Sequence, residues 1–146
     1  MSQSTRTLTG GVSASVLIIV LVGLVSGAVF GLLLGKIIAE PALVSVIASF
    51  LAILVASAVR YFIVSAGAGA SFPGGGPAAM PSVLFINSLI ASVFGGLAAH
   101  GLLAAASPPH PPVLTGAVAG LFGGVLMALL MICYYTARGE GFRGQR

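Results

Sequence analysis

Between Arg60 and Arg138 the chain carries no aspartate, glutamate, lysine or arginine. A water-soluble domain keeps its surface hydrated through charged side chains, so a stretch of this length without one excludes an ordinary soluble fold. Composition points the same way. The chain is 58% hydrophobic and 5% charged, its mean hydropathy is +1.18, and its only carboxylates are Glu40 and Glu140. Globular proteins carry several times that charge fraction. The reading is an all-α integral membrane protein, a single membrane domain with polar tails at 1–11 and 137–146.

A hydrocarbon core about 30 Å thick needs about 20 apolar residues of helix. Four stretches qualify, at about 12–35, 41–65, 81–105 and 113–135. Pro41 suits a helix start, because a first-turn amide has no intrahelical partner to lose. The connectors at 36–40 and 107–112 are short, which predicts two helical hairpins. The Gly- and Pro-rich segment 67–79 joins them as a loop. The first apolar stretch is longer than the roughly 7–15 residues of a signal-peptide core, and is expected to be a retained span.

Gly23, Gly27, Gly31 and Gly35 stand four residues apart within the first span. Such a row drifts only slowly round a helix. It strips one face to backbone and lets a neighbouring helix approach closely, a device typical of lipid-embedded packing. Gly116, Gly120 and Gly124 repeat this glycine zipper in the fourth span. A third small-residue side runs through Ser88, Ser92 and Gly96.

The basic residues bias the orientation. Arg6, Arg60, Arg138, Arg143 and Arg146 lie on the side of both termini, whereas the other side holds Lys36 and Glu40. The positive-inside rule then predicts cytoplasmic termini. Tyr61, Phe62, Tyr134 and Tyr135 fall at that same boundary, where amphipathic rings settle as membrane anchors. Arg60 lies roughly one turn inside the second span. It either snorkels to lipid phosphate or faces inward as a functional cation.

The segment Ala28-Val-Phe-Gly-Leu-Leu-Leu-Gly-Lys36 aligns with Ser92-Val-Phe-Gly-Gly-Leu-Ala-Ala-His100. Two copies of a two-span unit enter the membrane in the same direction, giving parallel repeats about an axis along the membrane normal. Chance alignment of Gly/Ala/Leu-rich spans is the competing explanation. The second copy, with Ala106-Ser-Pro-Pro-His-Pro-Pro-Val-Leu-Thr-Gly-Ala-Val-Ala-Gly-Leu-Phe-Gly-Gly124, resembles the XapX domain, a small bacterial membrane hairpin with a proline-rich turn before a Gly-rich helix. The resemblance runs from Ser92 to about Leu130; the first hairpin keeps only Glu40-Pro41 in its turn. It implies a bacterial inner-membrane protein, with a hint of transport from the family's association with nucleoside uptake genes. Arg60-Tyr61 and Asn87 also resemble small fluoride channels, but the Gly-Gly-Leu-Thr-Thr-Phe-Ser-Thr-like stretch of those channels is missing, which excludes that family.

Chemistry-bearing groups are sparse. Cys133 is the sole cysteine, so neither an internal disulfide nor a Cys-x-x-Cys site exists. His100 and His110 lack metal-ligand spacing, and no serine or threonine has a base beside it in sequence. The expectation is no enzyme activity, no cofactor and no metal. Two polar sets stand out. Lys36, Glu40 and His100, with His110 nearby, fall at the outer ends of the spans. They are either a solvated loop cluster or a proton- or anion-responsive mouth with His100 as its sensor. Asn87, Ser88 and Ser92 lie within the third span as helix-packing glue or as the lining of a narrow polar path.

The resulting expectation is a non-catalytic accessory or assembly component held by Gly-ridge packing. A small oligomeric transporter or channel for an ion or small solute is the alternative, and a holin-like permeabilising protein a third. The expected partners are the lipid bilayer and either further copies of the chain or other membrane subunits. Nucleic acid is not expected, because the net charge of +4 sits mainly in lipid-proximal tails.

Overall fold

The computed structural model describes the backbone of residues 3–68, 81–107 and 109–137, and the side chains of 16–60, 85–107 and 109–133. Four helices fill these segments: α1 (Gln3–Leu34), α2 (Pro41–Ala68), α3 (Pro81–Ala105) and α4 (Pro112–Ala137). Within them Val16–Leu34, Pro41–Arg60, Phe85–Ala105 and Pro112–Cys133 are each long and apolar enough to cross a bilayer. The chain is an all-helical, multi-pass membrane protein, and no strand occurs among the described residues. Helix α1 starts well before the apolar stretch that begins at 12. A helix satisfies its own backbone, so it continues into polar sequence such as Ser4 and Thr5 without needing lipid.

Three helices open on proline, at Pro41, Pro81 and Pro112. Each fixes φ near its helical value at the one position where a missing N–H costs nothing. The carbonyl just before the helix takes up the first amides. Val44 N–H donates to Glu40 O at 3.1 Å, and Leu114 and Thr115 N–H donate to Pro111 O at 3.0 and 3.2 Å. On the α1 side of the first of these turns, the N–H groups of Ile37 and Ile38 close on Leu34 O at 2.9 and 2.7 Å.

Helix α1 packs on α2 and α4, α3 packs on the same two, and α2 meets α4 across the short diagonal. Among the described residues α1 and α3 do not touch. Ile53, Ala91, Met127 and Met131 form the core between α2, α3 and α4, with Leu126 and Leu130 against it. Outside, α3 exposes Phe85, Ile86, Leu89, Ile90, Phe94 and Leu97 as an apolar surface for lipid.

Helix α1 is held differently. Gly23 lies against Gly120, Gly27 against Gly116 and Gly120, and Gly31 against Pro112 and Gly116. Rising numbers on one helix meet falling numbers on the other, so α1 and α4 run antiparallel. A Cβ added to Gly27 would strike the carbonyl oxygen of Gly116, and one added to Gly116 would strike that of Gly27. Lipid tails give two apolar helices no hydrophobic reason to associate, so this contact draws on backbone van der Waals packing. The reciprocal carbonyls also suit weak Cα–H···O contacts, worth about 0.5–1 kcal/mol each.

Candidate functional site

Polar side chains gather in three places. The first is the bundle interior. Ser45 and Ser49 on α2 and Ser88 and Ser92 on α3 are all buried. Each pair is spaced by four, so each forms a short row along one helix face. The rows are possible because the backbones converge there. A Cβ on Gly96 would stand 2.7 Å from the Val46 Cα, one on Gly95 would stand 2.8 Å from the Gly123 Cα, and one on Gly123 would collide with the Ser49 hydroxyl.

Most of these hydroxyls are already engaged. Ser45 donates to Pro41 O at 3.0 Å and Ser92 to Leu89 O at 2.8 Å, both within their own helices. Ser88 donates across to Met127 Sδ at 4.0 Å. Beside it Asn87 Nδ2 donates to Met131 Sδ at 3.8 Å. Thioether sulfur is a weak acceptor, so these are soft cross-helix ties between α3 and α4. Ser49 is the exception: its Oγ is buried and has no hydrogen-bond partner.

The second place is the end remote from the termini. Lys36 and Glu40 are exposed and His100 is half-buried. Lys36 follows α1 and His100 lies on α3, the two helices that do not touch, and no ion pair joins these groups among the described residues. His110 has a clear role instead. Its Nε2 lies 2.8 Å from Leu103 O; a carbonyl can only accept, so Nε2 carries the proton. This bond ties the proline turn to the last turn of α3, on a carbonyl that also accepts the Ala106 N–H at 3.1 Å. Ser107 makes the bend between them with a left-handed φ of 68°. Gly35 closes the same end from α1, and a Cβ there would stand 2.7 Å from Pro112 Cγ.

The third place is the terminus end. Arg60 is half-buried, and its Nε is buried without a hydrogen-bond partner. The side chains of Tyr61, Phe62, Tyr134 and Tyr135, and the arginines from 138 onward, lie outside the described residues. Cys133 is exposed. Among the described residues no group of three or more His, Cys, Asp or Glu could hold a metal.

Of the glycines singled out from sequence, Gly23, Gly27, Gly31, Gly116 and Gly120 meet across one seam, and Gly124 faces Ile19 and Val20. Sequence reasoning missed Ser45, Ser49 and the Ala48-Ala52-Ala56 row on α2, all of them fully buried. Their spacing of four was the signal that could have found them. Comparison with known protein families, with curated proteins and with solved structures finds no match.

Proposed function

We propose that this chain is a non-catalytic accessory or assembly component of a membrane, its bundle serving as a rigid packing element for copies of itself or for other membrane subunits. The observation that supports this is the α1–α4 seam, where Gly27 and Gly31 lie on Gly116 and Gly120 backbone to backbone. Contacts that close need every residue of the row to be glycine, and they produce stiffness rather than a solvated path. Three of the four core serines spend their hydroxyl hydrogens inside the bundle, whereas a permeation path needs polar groups free to replace a solute's hydration. The resemblance of residues 92–130 to XapX hairpins fits a bacterial inner membrane, and the arginine bias fits cytoplasmic termini.

Extraction in mild detergent followed by sizing tests the proposal. It expects a homo-oligomer or co-purification with defined membrane proteins; a chain that runs only as a free monomer in every mild detergent refutes it. The transporter reading rests on one observation, the unpartnered Ser49 hydroxyl in a buried serine row. Solute-specific flux through liposomes holding this chain alone would favour that reading over the scaffold.

A further inference from the structure

We infer that the terminus end of the bundle opens to water as far as Arg60, forming a blind vestibule that admits small anions, while the remote end stays shut. This goes beyond the scaffold reading and holds independently of it. Two observations carry it: a cation closed into apolar surroundings, and helix contacts that weaken toward that same end.

Arg60 stands about three helical turns beyond Ser49 and so returns to the same inward face of α2. Ile53 and Ala56 lie between them on that stripe, both fully buried. The Arg60 Nε is buried and has no hydrogen-bond partner. A guanidinium stays protonated under all ordinary conditions, so it cannot shed its charge to suit the site. The only described carboxylate is Glu40, just before the far end of the same helix, about 30 Å away at 1.5 Å per residue. A buried charge left without a partner is among the costliest arrangements a membrane helix can hold. Water reaching Arg60 removes that cost.

The contacts decide which end yields. At the remote end a Cβ on Gly31 would stand 2.6 Å from the Gly116 Cα, and one on Gly35 would stand 2.7 Å from Pro112 Cγ. There His110 also clamps the α3–α4 turn through Leu103 O at 2.8 Å. Toward the termini the cross-helix ties are Asn87 on Met131 Sδ at 3.8 Å and Ser88 on Met127 Sδ at 4.0 Å. Thioether sulfur is a weak acceptor, so these ties release easily. The seam is slackest there too, where a Cβ on Gly124 would find its nearest neighbour at 3.2 Å. Ile53, packed with Ala91, Met127 and Met131, makes the floor. With Arg60 at its wall and no carboxylate among the described residues of that half, the opening draws anions in and repels cations.

The test is thiol labelling of the full-length protein in proteoliposomes, with reagent on both faces. C133A removes the native thiol, and A56C or S49C is then introduced singly. Methanethiosulfonate reagents attack the thiolate, which forms only where water reaches. A56C should label about tenfold faster or more than S49C, which lies beyond the floor. Relative to their rates with free thiol in water, a sulfonate-bearing reagent should outpace a trimethylammonium one at A56C by about tenfold. R60M keeps an unbranched stem and drops the charge; it should slow A56C labelling about tenfold and abolish the anion preference. Elution position and helix content check each variant's fold. If A56C fails to fold, backbone amide exchange decides: amides 56–60 should exchange faster than 45–49 in wild type and slow in R60M. An unlabelled A56C overturns the inference, and is the result expected if Arg60 swings out to lipid headgroups instead. Equal labelling of A56C and S49C, or labelling indifferent to R60M, overturns it as well. A cationic reagent that keeps pace with the anionic one overturns the anion assignment.

Discussion

Gly31 and Gly116 exclude each other's side chains: a Cβ on Gly31 would stand 2.6 Å from the Gly116 Cα, and one on Gly116 would stand 2.5 Å from the Gly31 Cα. The seam is graded along its length. Near the terminus end, a Cβ on Gly124 would find its nearest neighbour, the Ile19 carbonyl oxygen, at 3.2 Å. The helices are therefore closest at the end remote from the termini and ease apart toward the other.

That gradient makes a stability prediction. Gly31→Ala should destabilise the bundle by about 1–3 kcal/mol, the usual penalty for overpacking, whereas Gly124→Ala should cost a fraction of that. Gly101 has open space around it in the same fold, so Gly101→Ala should be neutral or raise stability slightly through better helix propensity. Val29 is exposed, and Val29→Leu should be silent. Thermal unfolding in one detergent ranks the four; equal melting points for Gly31→Ala and Gly101→Ala would remove the seam from the account.

Asn87 should tie α3 to α4 rather than conduct. Its amide meets Met131 Sδ, as the neighbouring Ser88 hydroxyl meets Met127 Sδ. Cross-helix polar contacts in membrane proteins average about 0.6 kcal/mol with a maximum near 1.7. A double-mutant cycle of Asn87→Leu with Met131→Leu should give a coupling energy within about that range. Zero coupling, together with loss of any solute flux in Asn87→Leu alone, would move Asn87 from packing to a path.

The turn between α3 and α4 should respond to His110 and Ser107 in opposite directions. His110→Ala removes one of the two donors to Leu103 O, leaving the Ala106 N–H, and should cost about 0.5–1 kcal/mol, seen as faster amide exchange in the last turn of α3. Ser107→Gly relieves a left-handed residue whose side chain disfavours that conformation, and should add about 1 kcal/mol. A slower exchange in His110→Ala, or a less stable Ser107→Gly, contradicts this view of the turn.

Much of this fold is legible without coordinates, because the bilayer sets helix length and every long apolar run has to be a helix. The glycine row of α1 is also plain to read. Its partner is not: a bare face can pair with any small-residue row, and the rows through Gly96, through Gly116 and through Ala48-Ala52-Ala56 all qualified. Geometry selects α4 for α1, and leaves α3 to press Gly95 on Gly123 and Gly96 on Val46. The outer polar cluster is harder to read for another reason. Lys36, Glu40 and His100 share a depth in sequence, but depth does not decide which corners of a bundle meet: Lys36 follows α1 and His100 lies on α3, and among the described residues those two helices do not touch. His110 escaped notice as a structural tie because its partner is a backbone carbonyl, which every residue carries.

Ser49 separates the scaffold from the transporter most sharply. Its hydroxyl is buried against Gly123 with no hydrogen-bond partner, and a buried polar group left unpaired costs about 1–3 kcal/mol. Ser49→Ala deletes the orphan oxygen and keeps the Cβ, so in a packing element it should stabilise the bundle by about 1 kcal/mol. Ser45→Ala is the control, because that hydroxyl already bonds Pro41 O and its loss should cost about 0.5–1 kcal/mol, the net worth of a typical intramolecular hydrogen bond. A path that moves a solute would use the free Ser49 oxygen, and its removal would then slow flux while leaving the melting temperature low. Opposite signs for Ser49→Ala and Ser45→Ala in thermal unfolding, with liposome flux at background for both, are the expected outcome; a drop in flux confined to Ser49→Ala would transfer the row to transport.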